Sequence, residues 1–269
     1  MAIADLATYK AALGRQREFF PITISGATLS TGRAFDQWRL AQPIGAQPTT
    51  AVVPDNDTLG ALGQRDPNPG SQLSIIGARY SSVNPGNIIV ADRLSHQSGL
   101  DASISTAQTT NLPTAALTRY TGGEGVMIGL TIYGILGTVA QSVSVEYTNQ
   151  AGVGLKNTPA VQIGATAFRE VARMIILPLE SGDTGVRSVE SVTLSGSTGS
   201  IGNFGVTLFK PLYAICVSDT SGVLSAAGFI TGNTAGGIAK IEDGACLFPI
   251  SIMASTSATG AGAILLEEN

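Results

Sequence analysis

Residues Glu124–Thr148 read EGVMIGLTIYGILGTVAQSVSVEYT, and the alternation in this stretch decides the fold class. In its first half Val126, Ile128, Leu130 and Ile132 fall on one face, with Met127, Gly129, Thr131 and Tyr133 on the other. In its second half Val143, Val145 and Tyr147 alternate with Ser142, Ser144 and Glu146. A period of two is the signature of a half-buried β-strand. Gly134–Gly137 separates the halves, so the simplest expectation is a β-hairpin with a loop of about four or five residues. Val126, Ile128, Leu130, Ile132, Val143 and Val145 are expected to face a sandwich interior. The opposite face, with Thr131, Ser142 and Ser144, is nearly uncharged and is expected to lie in an oligomer interface.

The same stretch holds 21 consecutive uncharged residues, Gly125–Val145, which meets the length test for a membrane helix. The alternation, the central glycines, and Gln141, Ser142 and Ser144 oppose that reading. Met1–Leu13 lacks a basic segment followed by an apolar one, so no signal peptide is expected there.

Outward from the hairpin, strands recur at intervals near ten residues: Leu73–Tyr80, Ile88–Leu94, Ser103–Thr109, Ala116–Tyr120, Val186–Leu194, Asn203–Leu212, Tyr213–Val217, Val223–Thr231, Ala245–Ala254 and Ala263–Glu267. The end of Val161–Leu179 also reads as strand, from Ile175, Ile176 and Pro178. SGSTGSIG, residues 195–202, is a glycine-serine turn. This describes an all-β protein with a β-sandwich or jelly-roll-like domain. Ile3–Leu13 reads as a short N-terminal helix stopped by Gly14. Ala41–Gly70, with five prolines, reads as an extended arm. The expected division is residues 1–70 as attachment region and 71–269 as β domain.

Only 13% of the 269 residues are charged, about half the usual share, while 43% are hydrophobic and 33 are glycine. So few charges favour burying surface against other copies. A net charge of −4 without clustered Lys or Arg argues against nucleic-acid binding. Cys216 and Cys246 match no metal spacing and sit in apolar runs as small buried thiols, although a disulfide stays open.

Chemistry is sparse. The one histidine, His96, follows Asp92 and Ser95. On a regular strand Asp92 and His96 share a face about 13 Å apart, too far for a catalytic pair, so a structural or surface role is expected. Asp55 and Asp57 in PDNDTLG start like a calcium loop, with Gly60 in place but Asp66 where a glutamate belongs; Asx turns are the plainer reading. No phosphate-binding glycine loop or nucleophile elbow is present. No enzyme, cofactor or metal site is expected.

Several segments together are familiar: IADLATYKAAL (3–13), FDQWRLAQPIGAQPTTA (35–51), ADRLSHQSGLDASISTAQTTN (91–111), VSVEYTNQAGVG (143–154) and LPLESGDTGVRSVESVTLSGSTGSIGNFGVTL (177–208). They resemble a group of tailed-bacteriophage virion structural proteins, over most of the chain and most specifically over Asp92–Thr109 and Glu146–Leu208. The resemblance implies a structural part without catalytic residues. Among such parts it points to a capsid decoration or cement protein, a homo-oligomer with a trimer favoured, bound to the major capsid protein or other virion proteins in the virion. A tail, collar or connector component is the alternative. A sugar-binding or host-adhesion module, or a small hydrolase on a β scaffold, is a different class, which an aromatic groove with paired carboxylates would mark. The expected contact residues are Leu6, Tyr9, Leu13, Phe19, Phe20 and Trp38, large apolar groups near the chain terminus.

Overall fold

In a computed structural model, the structure describes residues 17–28, 31–36, 48–82, 84–166, 168–217, 228–230, 239–254 and 257–268. The described residues form strands and loops with no helix. The strands are β1 (Arg17–Thr28), β2 (Ala34–Asp36), β3 (Leu73–Ser82), β4 (Gly86–Leu100), β5 (Gln108–Leu112), β6 (Met127–Gly134), β7 (Gln141–Asn149) and β8 (Lys156–Asn157), followed by β9 (Val161–Ile163), β10 (Met174–Leu177), β11 (Val186–Leu194), β12 (Asn203–Val217), β13 (Gly228–Ile230), β14 (Ala239–Ile241), β15 (Leu247–Met253) and β16 (Ser257–Glu268). The expected N-terminal helix lies outside the described residues.

All strand pairings are antiparallel and fall into three sheets. The central one runs β10-β6-β12-β4-β15-β2, with β13 added to β12. It curls until its ends meet: Phe35 of β2 bridges Arg173, and the Asp36 N–H donates to the Ala172 carbonyl at 2.8 Å. A five-stranded sheet, β5-β11-β7-β8 with β9, packs on one part of its outside. A four-stranded sheet, β1-β16-β3-β14, packs on another. Long strands β4 and β12 run beneath both, so one backbone serves two sandwiches. Ile88 and Val90 of β4 join the second core, and Leu94 and Leu100 join the first.

The opening stretch is therefore not a hairpin. Strand β6 pairs with β12 and β10, whereas β7 pairs with β11, β8 and β9 in the facing sheet. Residues 135–140 cross between layers. The facing prediction still holds: Val126, Ile128, Leu130, Ile132, Val143 and Val145 are all fully buried in one core. Period-two alternation selects a face, and two strands on opposite walls of one core satisfy it as well as two neighbours do. Residues 195–202 likewise cross from the five-stranded sheet to the central one.

Other boundaries shift in the same local way. Asn203–Leu212 and Tyr213–Val217 are one strand. Ala116–Tyr120 is not a strand: Tyr120 has φ of 50° and turns out of the extended region. Residues 48–68 have little regular structure and lie against the body of their own chain. Val52 exchanges backbone hydrogen bonds with His96 at 2.9 and 3.0 Å, where β15 no longer covers β4. Leu62 N–H donates to Leu247, and Asn68 N–H to the Glu268 carboxylate.

Candidate assembly surface

The largest gathering of polar chemistry lies inside the curled central sheet. Its interior is lined by Ala91, Met174, Phe209, Phe248 and Ile250. Among them, Arg93 Nη2 donates to both carboxylate oxygens of Asp36, at 2.7 and 2.8 Å, while Thr131 Oγ1 donates to Asp36 at 3.0 Å. Arg93 Nη1 donates to Thr207 Oγ1 at 2.8 Å, and the same oxygen lies 2.8 Å from His96 Nδ1. On the far side of the imidazole, Nε2 lies 3.2 Å from Tyr133 Oη. The guanidinium stacks 3.9 Å from the Phe248 ring centroid. Glycine makes this filling possible. A Cβ on Gly205 would stand 2.9 Å from the Tyr133 ring and 3.0 Å from that of His96.

Two β-bulges in β4 decide which residues enter. Phe209 faces Arg93 and Leu208 faces Ser95, so Leu94 is an extra residue. A second shift lies between Gln97 and Leu100, beside Gly99 at φ 83°. The first bulge reverses the alternation, placing His96 with Arg93 inside and Asp92 outside. Asp92 and His96 therefore do not share a face, contrary to regular alternation. Asp36, Arg93, His96, Thr131 and Thr207 are all fully buried. Burial, then the Arg93 charge, hold the His96 pKa well below its ordinary value, so the ring is neutral. The network has no solvent-facing atom at these five residues, and what it does is hold strands β2, β4, β6 and β12 in one arrangement. Thr131 belongs to it; it is not an interface residue.

On the outside of the same strand, Asp92 binds Arg119 through two hydrogen bonds of 2.9 and 3.0 Å and accepts the Cys246 N–H at 2.9 Å. Arg119 also donates to the carbonyls of Pro54 and Arg93, pinning residues 48–62 and the β5–β6 connection to the central sheet. No disulfide joins Cys246 to Cys216; Cys246 is buried, which pushes its thiol up to about 12, whereas Cys216 is half-buried. The Asp55 carboxylate accepts from Asp57 N–H and the Thr58 hydroxyl, an Asx turn as expected. Among the described residues no three His, Cys, Asp or Glu side chains form a metal cluster, and no helix is long and apolar enough to cross a membrane.

The groups that do face solvent unusually are aliphatic. At the end of the sandwich where β6 passes to β7, Ile104, Ile135, Val139, Val171 and Ile201 are exposed, Ile201 by 67% and Ile135 by 55%. Their four loops are laced together. The Thr198 N–H donates to the Ala102 carbonyl, Ala102 N–H to Ile201, Val139 N–H to Thr198, and Leu136 N–H to Arg169. Thr198 is fully buried, and its Oγ1 accepts the Gly137 N–H at 3.1 Å. A Cβ on Gly137 would overlap the Thr198 carbonyl, so only glycine lets the loops approach this closely. The result is a platform of four hydrogen-bonded loops, on which these aliphatic side chains stand among exposed Thr138, Ser195, Ser197 and Ser200. Its segments 135–140 and 195–202 contain no charged residue, so covering them desolvates no ion.

Of the contact residues expected from sequence, Leu6, Tyr9, Leu13 and Trp38 lie outside the described residues. Phe19 and Phe20 fall in β1, opposite Leu265 and Ile264 of β16. The platform was missed because its residues are scattered singly through four loops. The one local signal is an isoleucine or valine flanked by glycines, as in GILGTV and GSIG.

No protein-family model and no curated protein matches the chain. Among solved structures, the infectious bursal disease virus VP2 subviral particle aligns with 94% of this chain and 80% of that one, at 9% identity and a TM-score of 0.21. The T=1 particles derived from infectious bursal virus align with 94% and 78%, at 9% identity and a TM-score of 0.20. The structure of the Gt strain of infectious bursal disease virus aligns with 94% and 80%, at 9% identity and 0.20. At these scores the likeness carries no argument about fold or role.

Proposed function

We propose that this protein is a non-enzymatic structural component of a tailed-bacteriophage virion, a decoration or cement protein that bridges and stabilises capsid subunits. The observation that carries the reading is the platform of hydrogen-bonded loops with exposed aliphatic side chains, on an all-β body whose buried polar groups serve packing. The sequence resemblance supports the same assignment. In this reading the platform and residues 1–70 supply the contacts, β1, β2 and residues 48–68 also packing into the body formed by 71–269, and the protein works as a homo-oligomer, a trimer, on the major capsid protein. It binds neither nucleic acid nor membrane and resides in the virion after assembly in the host cytoplasm. Many modest contacts, repeated over the lattice, would resist outward pressure through multivalency.

The mass of the purified protein and its copy number per virion test this reading. A copy number on the order of hundreds supports a cement protein, whereas about six or twelve copies, set by ring symmetry, would assign it to tail or collar instead. Absence from purified virions overturns the proposal.

A further inference from the structure

The five-stranded sheet turns one face to the central sheet and leaves the other open. Strand β7 sends Val143, Val145 and Tyr147 into the core, so Ser142, Ser144, Glu146 and Thr148 stand on the far side. Strand β11 buries Val186, Val189, Val192 and Leu194, and its register against β7 shifts after Val186 and again after Val189. Each of these bulges adds a residue directed away from the core, Arg187 at the first and Glu190 at the second. The other outward side chains of the two strands are serines and threonines, short groups that keep the face flat. Ser142 and Ser144, expected from sequence at an oligomer interface, both lie on it.

The charges of this face do not meet one another. Glu190 Oε1 accepts the hydroxyls of Thr148 at 2.8 Å and Ser188 at 2.5 Å, whereas Oε2 is shut off from solvent with no donor among the described residues. A shielded carboxylate oxygen without a donor is costly. Glu146, two residues from Thr148 on the same face, has no side-chain partner among the described residues. Lys156 of the neighbouring β8 is taken by Glu180 at 2.6 Å. Arg187 is exposed, and its Nε donates to the carbonyls of Gln150 at 2.9 Å and Gly122 at 3.4 Å. Its two Nη groups have no acceptor among the described residues.

We infer that this face docks on the same face of a second copy, Arg187 of each copy meeting Glu190 and Glu146 of the other. A two-fold axis lying between the two faces, crossing β11 midway between Arg187 and Glu190, forms this contact twice, as an isologous interface must. The guanidinium supplies the charge-assisted donors that Glu190 Oε2 lacks. The face is four strands wide and nine residues long, which by strand spacing and rise is roughly 600 Å² per copy. Two copies therefore cover about 1,200 Å², enough for a specific interface. A two-fold contact does not build a trimer, so in the proposed assembly it joins one trimer to another. It goes beyond that reading and needs no capsid.

Sedimentation of the purified protein tests it. At low ionic strength the wild-type protein should show twice the mass of Arg187→Glu protein and of Glu146→Lys/Glu190→Lys protein, and added salt should halve its mass. An equimolar mixture of these two variants should regain the doubled mass, because all the facing charges are then again opposite in sign. Arg187→Glu alters an exposed side chain and Glu146→Gln/Glu190→Gln keeps both shapes, so the test does not hinge on the folding of the lysine variant. The doubled mass persisting in Arg187→Glu or in the glutamine variant overturns the inference. So does a mixture of variants with native circular dichroism that fails to regain it, or a wild-type protein that never doubles. None of these results alters the copy number per virion, which decides the assembly reading, so the two fail separately.

Discussion

Arg93 and Asp36 form an ion pair with both side chains fully buried, Arg93 Nη2 lying 2.7 and 2.8 Å from the two carboxylate oxygens. The pair joins the middle of β4 to β2, the strand that completes the curled sheet. Removing one partner leaves the other charged and desolvated. Asp36→Ala should therefore cost about 3–5 kcal/mol, measured by urea unfolding. Replacing both with apolar residues, Asp36→Leu with Arg93→Met, should cost less than either single change. A double variant as unstable as the sum of the singles would refute this coupling.

Thr131→Lys is expected to prevent folding and not merely to weaken assembly. The Thr131 hydroxyl donates to Asp36 in the fully buried interior, where a lysine would add volume and a cation with no space for either. Soluble, folded Thr131→Lys protein with native circular dichroism would contradict this placement.

His96 should not titrate in the folded protein between its ordinary pKa of 6.5 and mild acid, because burial and the Arg93 charge disfavour the imidazolium. The unfolded chain does take up that proton. Stability is thus complete above about pH 6.5 and declines as the pH falls below it. Histidine NMR shifts that stay constant through that range would confirm the neutral ring; a sigmoidal change would refute it.

Glu268 behaves in the opposite sense at lower pH. Its hydrogen bonds from Arg65, first, and from the Asn68 N–H lower its pKa from 4.5 to about 2. The stabilisation it brings is complete above pH 4.5 and is lost as the pH falls towards about 2. Glu268→Gln should flatten the pH dependence of the unfolding midpoint in that window. Equal slopes in variant and parent would show that Arg65 and residues 65–68 gain nothing from the charge.

On the platform, Ile135→Asp combined with Ile201→Asp should leave stability within about 0.5 kcal/mol, since both side chains are exposed. The same change should abolish binding to capsids in a co-sedimentation assay. Undiminished binding would move the contact surface elsewhere on the molecule.

Much of the body was legible along the chain. The Val186–Leu194 strand matches β11, and the residues of β6 and β7 that face their shared core follow directly from alternation, because the faces of a strand depend only on local geometry. Partner choice does not. Nothing between Glu124 and Thr148 says that β6 and β7 join different sheets, since that depends on β11 and β12 far along the chain. Nor does the sequence around Leu94 announce a bulge, and that one extra residue moves His96 from the face of Asp92 to that of Arg93. The sequence alone determined an all-β protein with low charge, and which residues of β6 and β7 face their shared core, but not that the opposite face of β6 is buried as well. Only the tertiary structure decided which strands pair, that the polar residues meet inside a curled sheet, and that the four loops carrying exposed aliphatics are hydrogen-bonded together. Those outcomes come from contacts between distant segments, whose register local patterns do not encode.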